Sequence, residues 1–146
     1  MNKKYSYFIF ILVMIMLTVG LTSCNNKADI GNRVIDEHIQ AMKNENIDKL
    51  KSLLASDLSF RNGSRDLEVG PTMYMTLIGF ASVDEGEANY KLTSREVVET
   101  GEDYVKIAGF FYNVLKEDPD KDKKTVFTVR KGNDSKWRIS QIGGNN

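Results

Sequence analysis

The sequence predicts an α+β fold in which N-terminal helices pack on a curved antiparallel β-sheet, behind an N-terminal export signal. Three observations predict it. Apolar residues in the first part of the chain recur at three- and four-residue steps, as on one face of a helix. Four β-rich runs divided by short turns fill the second half. A basic start and an apolar run precede the only cysteine, as in a secretory signal.

The export signal consists of Lys3 and Lys4, a 14-residue apolar stretch from Phe8 to Leu21, and small residues before Cys24. Leu21-Thr22-Ser23-Cys24 resembles the lipobox of bacterial lipoproteins. The resemblance implies a signal peptide over 1–23, a mature chain that starts at lipidated Cys24, and a tether over 24–29. The alternative is an uncleaved membrane anchor, because the longer segment from Tyr5 to Leu21 approaches about 17 residues, the short end of the transmembrane range.

Either interpretation places the rest of the chain outside the cytoplasm. The lipobox resemblance implies lipid anchoring through Cys24 to the cell membrane or the outer membrane. Two or more acyl chains anchor a protein stably, whereas one does so only marginally. A lipidated Cys24 is a thioether, so it takes no part in a disulfide or in nucleophilic catalysis.

The length and charge of the mature chain limit what it can be. Residues 24–146 form 123 residues, which suits one domain of ordinary size over 30–146. Removal of Lys3 and Lys4 leaves 18 basic against 20 acidic side chains. No nucleic-acid partner is expected, because such a partner requires a basic surplus gathered into a patch.

The helical part begins at residue 30 and is predicted as a helix pair. The apolar face of the first helix consists of Ile30, Val34, Ile35, His38, Ile39 and Met42. After a break, the pattern resumes with Ile47, Leu50, Leu53, Leu54 and Leu58, and Asn46 is placed to cap this second helix. Asn62-Gly63 favours a hairpin between short strands at 58–60 and 66–69. Residues 72–82 are predicted to be helical from the spacing of Met73, Leu77 and Phe80, although Gly79 disfavours a helix there.

The β-rich part predicts strands at 89–100, 104–116, 125–131 and 136–142, joined by short turns. Sequential strands with short links form an antiparallel meander. The expected inward residues include Val105, Ile107 and Phe111 in the second of these strands, and Trp137 and Ile139 in the last.

This element order resembles that of the nuclear transport factor 2-like proteins, which are cone-shaped (cystatin-like) α+β domains. The segment from Ala41 to Leu50 and the terminal Lys136-Trp137-Arg138-Ile139 carry the resemblance, which covers about 30 to 142. It is strongest to small lipoproteins of uncharacterised function. The resemblance implies a helix-covered concave sheet, where many members keep a pocket. Its enzymes are isomerases, dehydratases and cyclases that use a pocket Asp, His or Tyr.

His38, Tyr74 and Phe111 are the candidate ligand-binding residues. His38 is the only histidine, and it lies on the apolar face of the first helix. Imidazole titrates near neutrality and could act as a base, whereas the alternative is a core histidine satisfied by a hydrogen bond. Phe110-Phe111-Tyr112 sends aromatic rings to both faces of a strand. The outer rings predict a partner or homodimer surface, unless the strand is covered on both sides or bulged at Gly109.

No metal, cofactor or catalytic residue is assigned. One histidine and one lipidated cysteine cannot supply the usual zinc ligands. Asp118-Pro119-Asp120 begins like an EF-hand loop, but Lys123 stands where that loop needs glycine and Val129 where it needs glutamate. Ser64 lacks the Gly-x-Ser-x-Gly elbow of serine hydrolases.

The leading hypothesis is therefore a lipid-anchored domain that binds an envelope protein or a small apolar ligand without catalysis. The rival is a small isomerase, cyclase or lyase with a pocket between the first helix and the sheet. A tyrosine or carboxylate within hydrogen-bond reach of His38 in a cavity would favour the enzyme. A cavity filled by Met42, Phe111 and Trp137 would rule out the enzyme.

Overall fold

The computed structural model describes residues 26–62, 65–81, 90–112 and 124–143. The predicted signal peptide, Cys24, the tip of the first hairpin and the acidic loop at 118–120 lie outside the described residues. Within them, no helix has both the length and the apolar character that crossing a membrane requires.

The described residues form three helices and six strands, which follow one another in the predicted order. Residues 26–43 form helix α1. Helix α2 covers Ile47–Leu53 and α3 covers Gly70–Ala81. The strands are β1 (Leu54–Asn62), β2 (Arg65–Glu68), β3 (Lys91–Thr100), β4 (Tyr104–Tyr112), β5 (Thr125–Lys131) and β6 (Trp137–Gly143).

All six strands form one sheet in the order β2-β1-β6-β5-β4-β3. The predicted antiparallel meander from β3 to β6 and the β1–β2 hairpin are both present. The expectation of a wholly antiparallel sheet is wrong in one place, since β1 pairs parallel with β6. That pairing joins the β1–β2 hairpin to β6. The sheet is therefore mixed, and the hairpin and the meander belong to the same sheet.

Helix α2 is shorter than the sequence predicts. Asn46 caps it as expected, because its side-chain oxygen accepts the backbone N–H of Lys49 at 3.0 Å. The helix ends at Leu53, however, and Leu54 and Leu58 are buried residues of β1 rather than of a helix. A spacing of four residues keeps a side chain on one face of a strand as well as on one face of a helix, so the pattern did not distinguish them.

The core lies between the helices and the inner face of the sheet. Its fully buried members come from α1, β1, β4, β5 and β6: Ile35, His38, Leu58, Val105, Ile107, Phe127, Val129 and Ile139. Trp137 and Phe111 are partly buried against it, on the predicted side. The predicted helix α3 is present, but the residue predicted to begin its buried face is wrong. Met73 is exposed, whereas its neighbour Tyr74 is buried.

A bulge in β3 directs one arginine onto α1. Ser94 has a positive φ of 51°, and the pairing register of β3 with β4 shifts between Thr93 and Glu96. Bulges bend a strand and re-aim a side chain. Here the Arg95 guanidinium reaches the Asp36 carboxylate at 2.5 Å and the Asn32 amide oxygen at 3.3 Å, both on α1. The bulge that the sequence analysis considers at Gly109 as an alternative therefore lies in the neighbouring strand β3.

Glycine allows α1 to lie close to the sheet. A Cβ at Gly31 would lie 2.6 Å from Val105 Cγ1 and 2.9 Å from Ile107 Cδ1, and both of those side chains are completely buried. Only a residue without a side chain fits this approach without displacing its neighbours. The contact fixes the height of α1 above β4, and thereby the position of His38 two turns further along the helix.

Candidate functional site: a buried histidine–tyrosine pair

His38 and Tyr74 form a hydrogen-bonded pair inside the domain. Helix α1 places His38 at 0% exposure, and α3 brings Tyr74 to 5% exposure opposite it. The Tyr74 hydroxyl lies 2.9 Å from His38 Nε2. The two residues are 36 positions apart in sequence, so the pair exists only because α1 and α3 cover the same sheet.

Apolar side chains surround this pair. Phe127 of β5 forms a T-shaped contact with the His38 ring, with ring centroids 6.4 Å apart. Phe111 meets Phe127 edge to face at 5.3 Å, and Phe60 stacks on Tyr74 at 5.4 Å. The Met42 sulfur lies 3.7 Å from the Tyr74 hydroxyl as a weak acceptor. The pair therefore lies in a low-dielectric setting where each polar atom needs a partner.

One polar atom of the pair has no partner within the part of the chain that the structure describes. His38 Nδ1 is buried and has no hydrogen bond to any described residue. Buried polar groups are almost always satisfied, so an exception requires an explanation. If the Tyr74 hydroxyl donates to Nε2, Nδ1 carries the ring proton and is an unsatisfied donor. If Nε2–H donates to the hydroxyl, the hydroxyl proton can point at Met42 and Nδ1 is an unsatisfied acceptor.

Burial holds both members of the pair neutral. Desolvation lowers the pKa of His38 from 6.5 to about 3. Burial, with a smaller effect of Tyr90, raises the pKa of Tyr74. Both shifts move away from neutral pH, whereas efficient general acid–base catalysis needs a pKa near it. At pH 7 the pair can give and accept hydrogen bonds but carries no charge.

The three predicted ligand-binding residues lie in one connected group. His38 contacts Tyr74 directly, and Phe111 reaches His38 through Phe127. Phe127, which connects them, is not among the site residues predicted from the sequence. Its position between Val126 and Thr128 in an alternating strand was the available signal.

The outer face of the sheet carries a second set of aromatic rings, as the sequence predicts. Phe110 and Tyr112 are half-buried there. The Lys91 ammonium lies 4.3 Å from the centroid of the Tyr112 ring, and the Lys124 ammonium lies 5.9 Å from that of Phe110. Lysine stems thus cover part of these rings. Among the described residues no cluster of three or more metal-ligating side chains is present.

No protein-family model and no curated protein matches the sequence. Solved structures do match the fold. An NTF2-like protein of unknown function from Pseudomonas putida KT2440 is 14% identical over 82% of this chain and 84% of its own, with a TM-score of 0.59.

Two further structures extend this likeness. A ketosteroid isomerase-like protein from Erwinia carotovora atroseptica SCRI1043 is 16% identical over 81% of this chain and 94% of its own, with a TM-score of 0.53. A protein of unknown function with a cystatin-like fold from Nostoc punctiforme PCC 73102 is 15% identical over 75% and 83%, also with a TM-score of 0.53. The helix-covered, curved mixed sheet of this chain is therefore an NTF2-like, cystatin-like fold.

Proposed function

We propose that this protein is an extracytoplasmic lipoprotein, anchored to the cell membrane or outer membrane through acylated Cys24, whose domain binds a protein partner or a small apolar ligand without catalysis. The unpartnered Nδ1 of His38 supports the small ligand most directly. An apolar molecule with one hydrogen-bonding group would satisfy that atom within surroundings that are otherwise aromatic and aliphatic.

The direction of the pKa shifts supports binding over chemistry. A base must collect a proton at the working pH, and an imidazole with a pKa of about 3 does so only weakly. A neutral imidazole and a neutral phenol, by contrast, suit the recognition of an uncharged hydroxyl or carbonyl group. Because His38 is completely buried, a ligand that reaches Nδ1 must displace neighbouring side chains.

The anchor is tested with the Cys24→Ala variant of the full chain. We expect the wild-type protein to sediment with membranes and to carry diacylglyceryl mass on its N-terminal cysteine, and we expect the variant to remain as unprocessed precursor or to be lost to the medium. Fractionation and mass spectrometry check both points. Normal processing and membrane retention of Cys24→Ala would show that the lipobox interpretation is wrong.

The ligand is tested by native mass spectrometry of the purified acylated protein. We expect a non-covalent added mass that disappears on denaturation, because no described residue satisfies Nδ1 and a bound group would. His38→Leu keeps an apolar side chain but removes Nδ1, and it should lose this mass. Tyr74→Phe leaves His38 and its Nδ1 in place, so this matched control should keep the added mass. Absence of added mass from wild type, or equal retention by His38→Leu, would contradict the small-ligand proposal.

One observation favours a pocket enzyme of the isomerase, cyclase or lyase type as a second candidate. The Tyr74 hydroxyl lies within hydrogen-bond distance of His38 Nε2, and a neutral His–Tyr pair can polarise a substrate carbonyl. Such an enzyme would exchange a carbon-bound hydrogen of its ligand with solvent. Incorporation of deuterium into the ligand recovered from the wild-type protein in D₂O, but not from Tyr74→Phe, would favour catalysis over binding alone.

A further inference from the structure

An open, polar cleft lies at one end of the sheet, apart from the His38–Tyr74 pair. Its volume is about 940 Å³. The start of β1, the turn between β3 and β4, and the turn between β5 and β6 line it. These segments meet because β1 runs parallel to β6, which brings the first residue of β1 beside Ile139, near the start of β6.

Four basic and three acidic side chains line this cleft, and two of the basic ones form no ion pair among the described residues. Arg130 pairs with Asp57 at 2.6 Å. Arg138 holds Asp134 through two nitrogens, at 2.9 and 2.6 Å. The remaining charged groups are Lys51, Lys131 and the Asp103 carboxylate. Among the described residues, none of these three side chains has an ion-pair or hydrogen-bond partner.

The chain enters the domain at the same end. The Lys27 ammonium donates to the Gly101 carbonyl at 2.9 Å, which ties the start of α1 to the β3–β4 turn. The Lys131 N–H donates to the Asp103 carbonyl at 2.8 Å, which ties that turn to the end of β5. Cys24 precedes Lys27 by three residues, and three extended residues span at most about 11 Å. A lipid on Cys24 therefore holds this end of the domain near the bilayer surface.

We propose that this cleft docks on the phosphate headgroups of the anionic phospholipid bilayer in which the Cys24 lipid is inserted. The inference rests on the proposed lipid anchor. Lysine binds phosphate as a compact point charge, and basic groups beside a lipid anchor strengthen attachment to anionic membranes. Lys51 and Lys131 are the cations available for this contact, whereas Arg130 and Arg138 are already neutralised by aspartates. Docking here would leave the opposite end of the sheet, with the β1–β2 hairpin, directed away from the membrane.

Energy transfer on vesicles tests the orientation. The acylated full-length mature protein is reconstituted into vesicles of phosphatidylglycerol or phosphatidylcholine that carry a headgroup acceptor dye. A donor is attached either at Glu102→Cys in the β3–β4 turn or at Leu67→Cys in β2, and both positions are exposed. We expect higher transfer from position 102 than from position 67 on phosphatidylglycerol, with a loss of the difference at high salt.

Charge variants test the cleft itself. Lys51→Gln/Lys131→Gln removes two positive charges from the cleft, and Lys43→Glu makes the same change in net charge at an exposed position near the end of α1. The cleft variant should lower transfer from position 102 to the value of position 67, whereas Lys43→Glu should leave it unchanged. Equal transfer from both positions, or no effect of the cleft variant, would overturn the docking of the cleft. The lipid anchor would still stand if the protein carries its acyl group. A chain that carries no acyl group would overturn both.

Discussion

Lowering the pH from 7 to 5 is expected to remove about 2 kcal/mol from the free energy of unfolding through His38 alone. Unfolded His38 takes up a proton near pH 6.5, whereas burial lowers the pKa of the folded form to about 3. Between these values the unfolded state binds more protons, so stability is complete above pH 6.5 and falls as the pH drops. Urea denaturation at several pH values measures the slope.

His38→Gln provides the control for this prediction, because glutamine is polar but does not titrate. The variant should show a nearly flat stability between pH 7 and pH 5. Ion-paired carboxylates also make the folded protein less stable as the pH falls, because their protonation breaks the ion pair. Asp57 is an example, since its hydrogen bond to Arg130 lowers its pKa. Their unfolded pKa lies near 4, so they contribute mainly below pH 5. A wild-type slope that persists in His38→Gln would show that the buried imidazole is not its cause.

Phe127→Ala is expected to cost about 3–5 kcal/mol of stability, the range for removal of a fully buried aromatic ring. Phe127 has 0% exposure and touches both His38 and Phe111. The substitution removes the T-shaped contact to the imidazole and leaves a cavity beside that ring. Chemical denaturation of the mature chain measures the loss as a lower midpoint.

Phe110→Ala is the matched control for that substitution. Phe110 belongs to the same sheet but is half-buried on the outer face, beneath Lys124. Its removal opens no interior cavity, so its cost should be clearly smaller. A similar loss of stability in both variants would mean that the inner face around His38 is not the main core.

Local patterns predicted the elements of this fold well, because each depends on residues close in sequence. The helical period from Ile30 to Met42 and the alternation in β4 to β6 report which side chains face the core. The Asn46 cap could also be predicted from the sequence, since a capping side chain acts within three residues. The end of α2 could not be predicted, because the spacing of Leu54 and Leu58 fits one face of a helix and one face of a strand alike.

Contacts between distant segments were beyond such patterns. The parallel pairing of β1 with β6 joins residues more than 80 positions apart, and short links predict only sequential neighbours. The His38–Tyr74 hydrogen bond depends on how α3 rotates, and the periodicity of Met73 suggested a different face. The residues of the candidate site could therefore be named from the sequence, whereas their pairing required the fold.

Burial holds His38 neutral, so that its ring can give and accept hydrogen bonds at pH 7 without ionising. Because His38 is the only histidine, nitrogen-15 NMR of its ring can be followed without ambiguity. From pH 8 to pH 5 we expect the ring nitrogens to keep the shifts of a single neutral tautomer, since burial lowers the pKa to about 3. A titration with a midpoint near 6.5 would show that water reaches the ring and that burial does not hold His38 neutral.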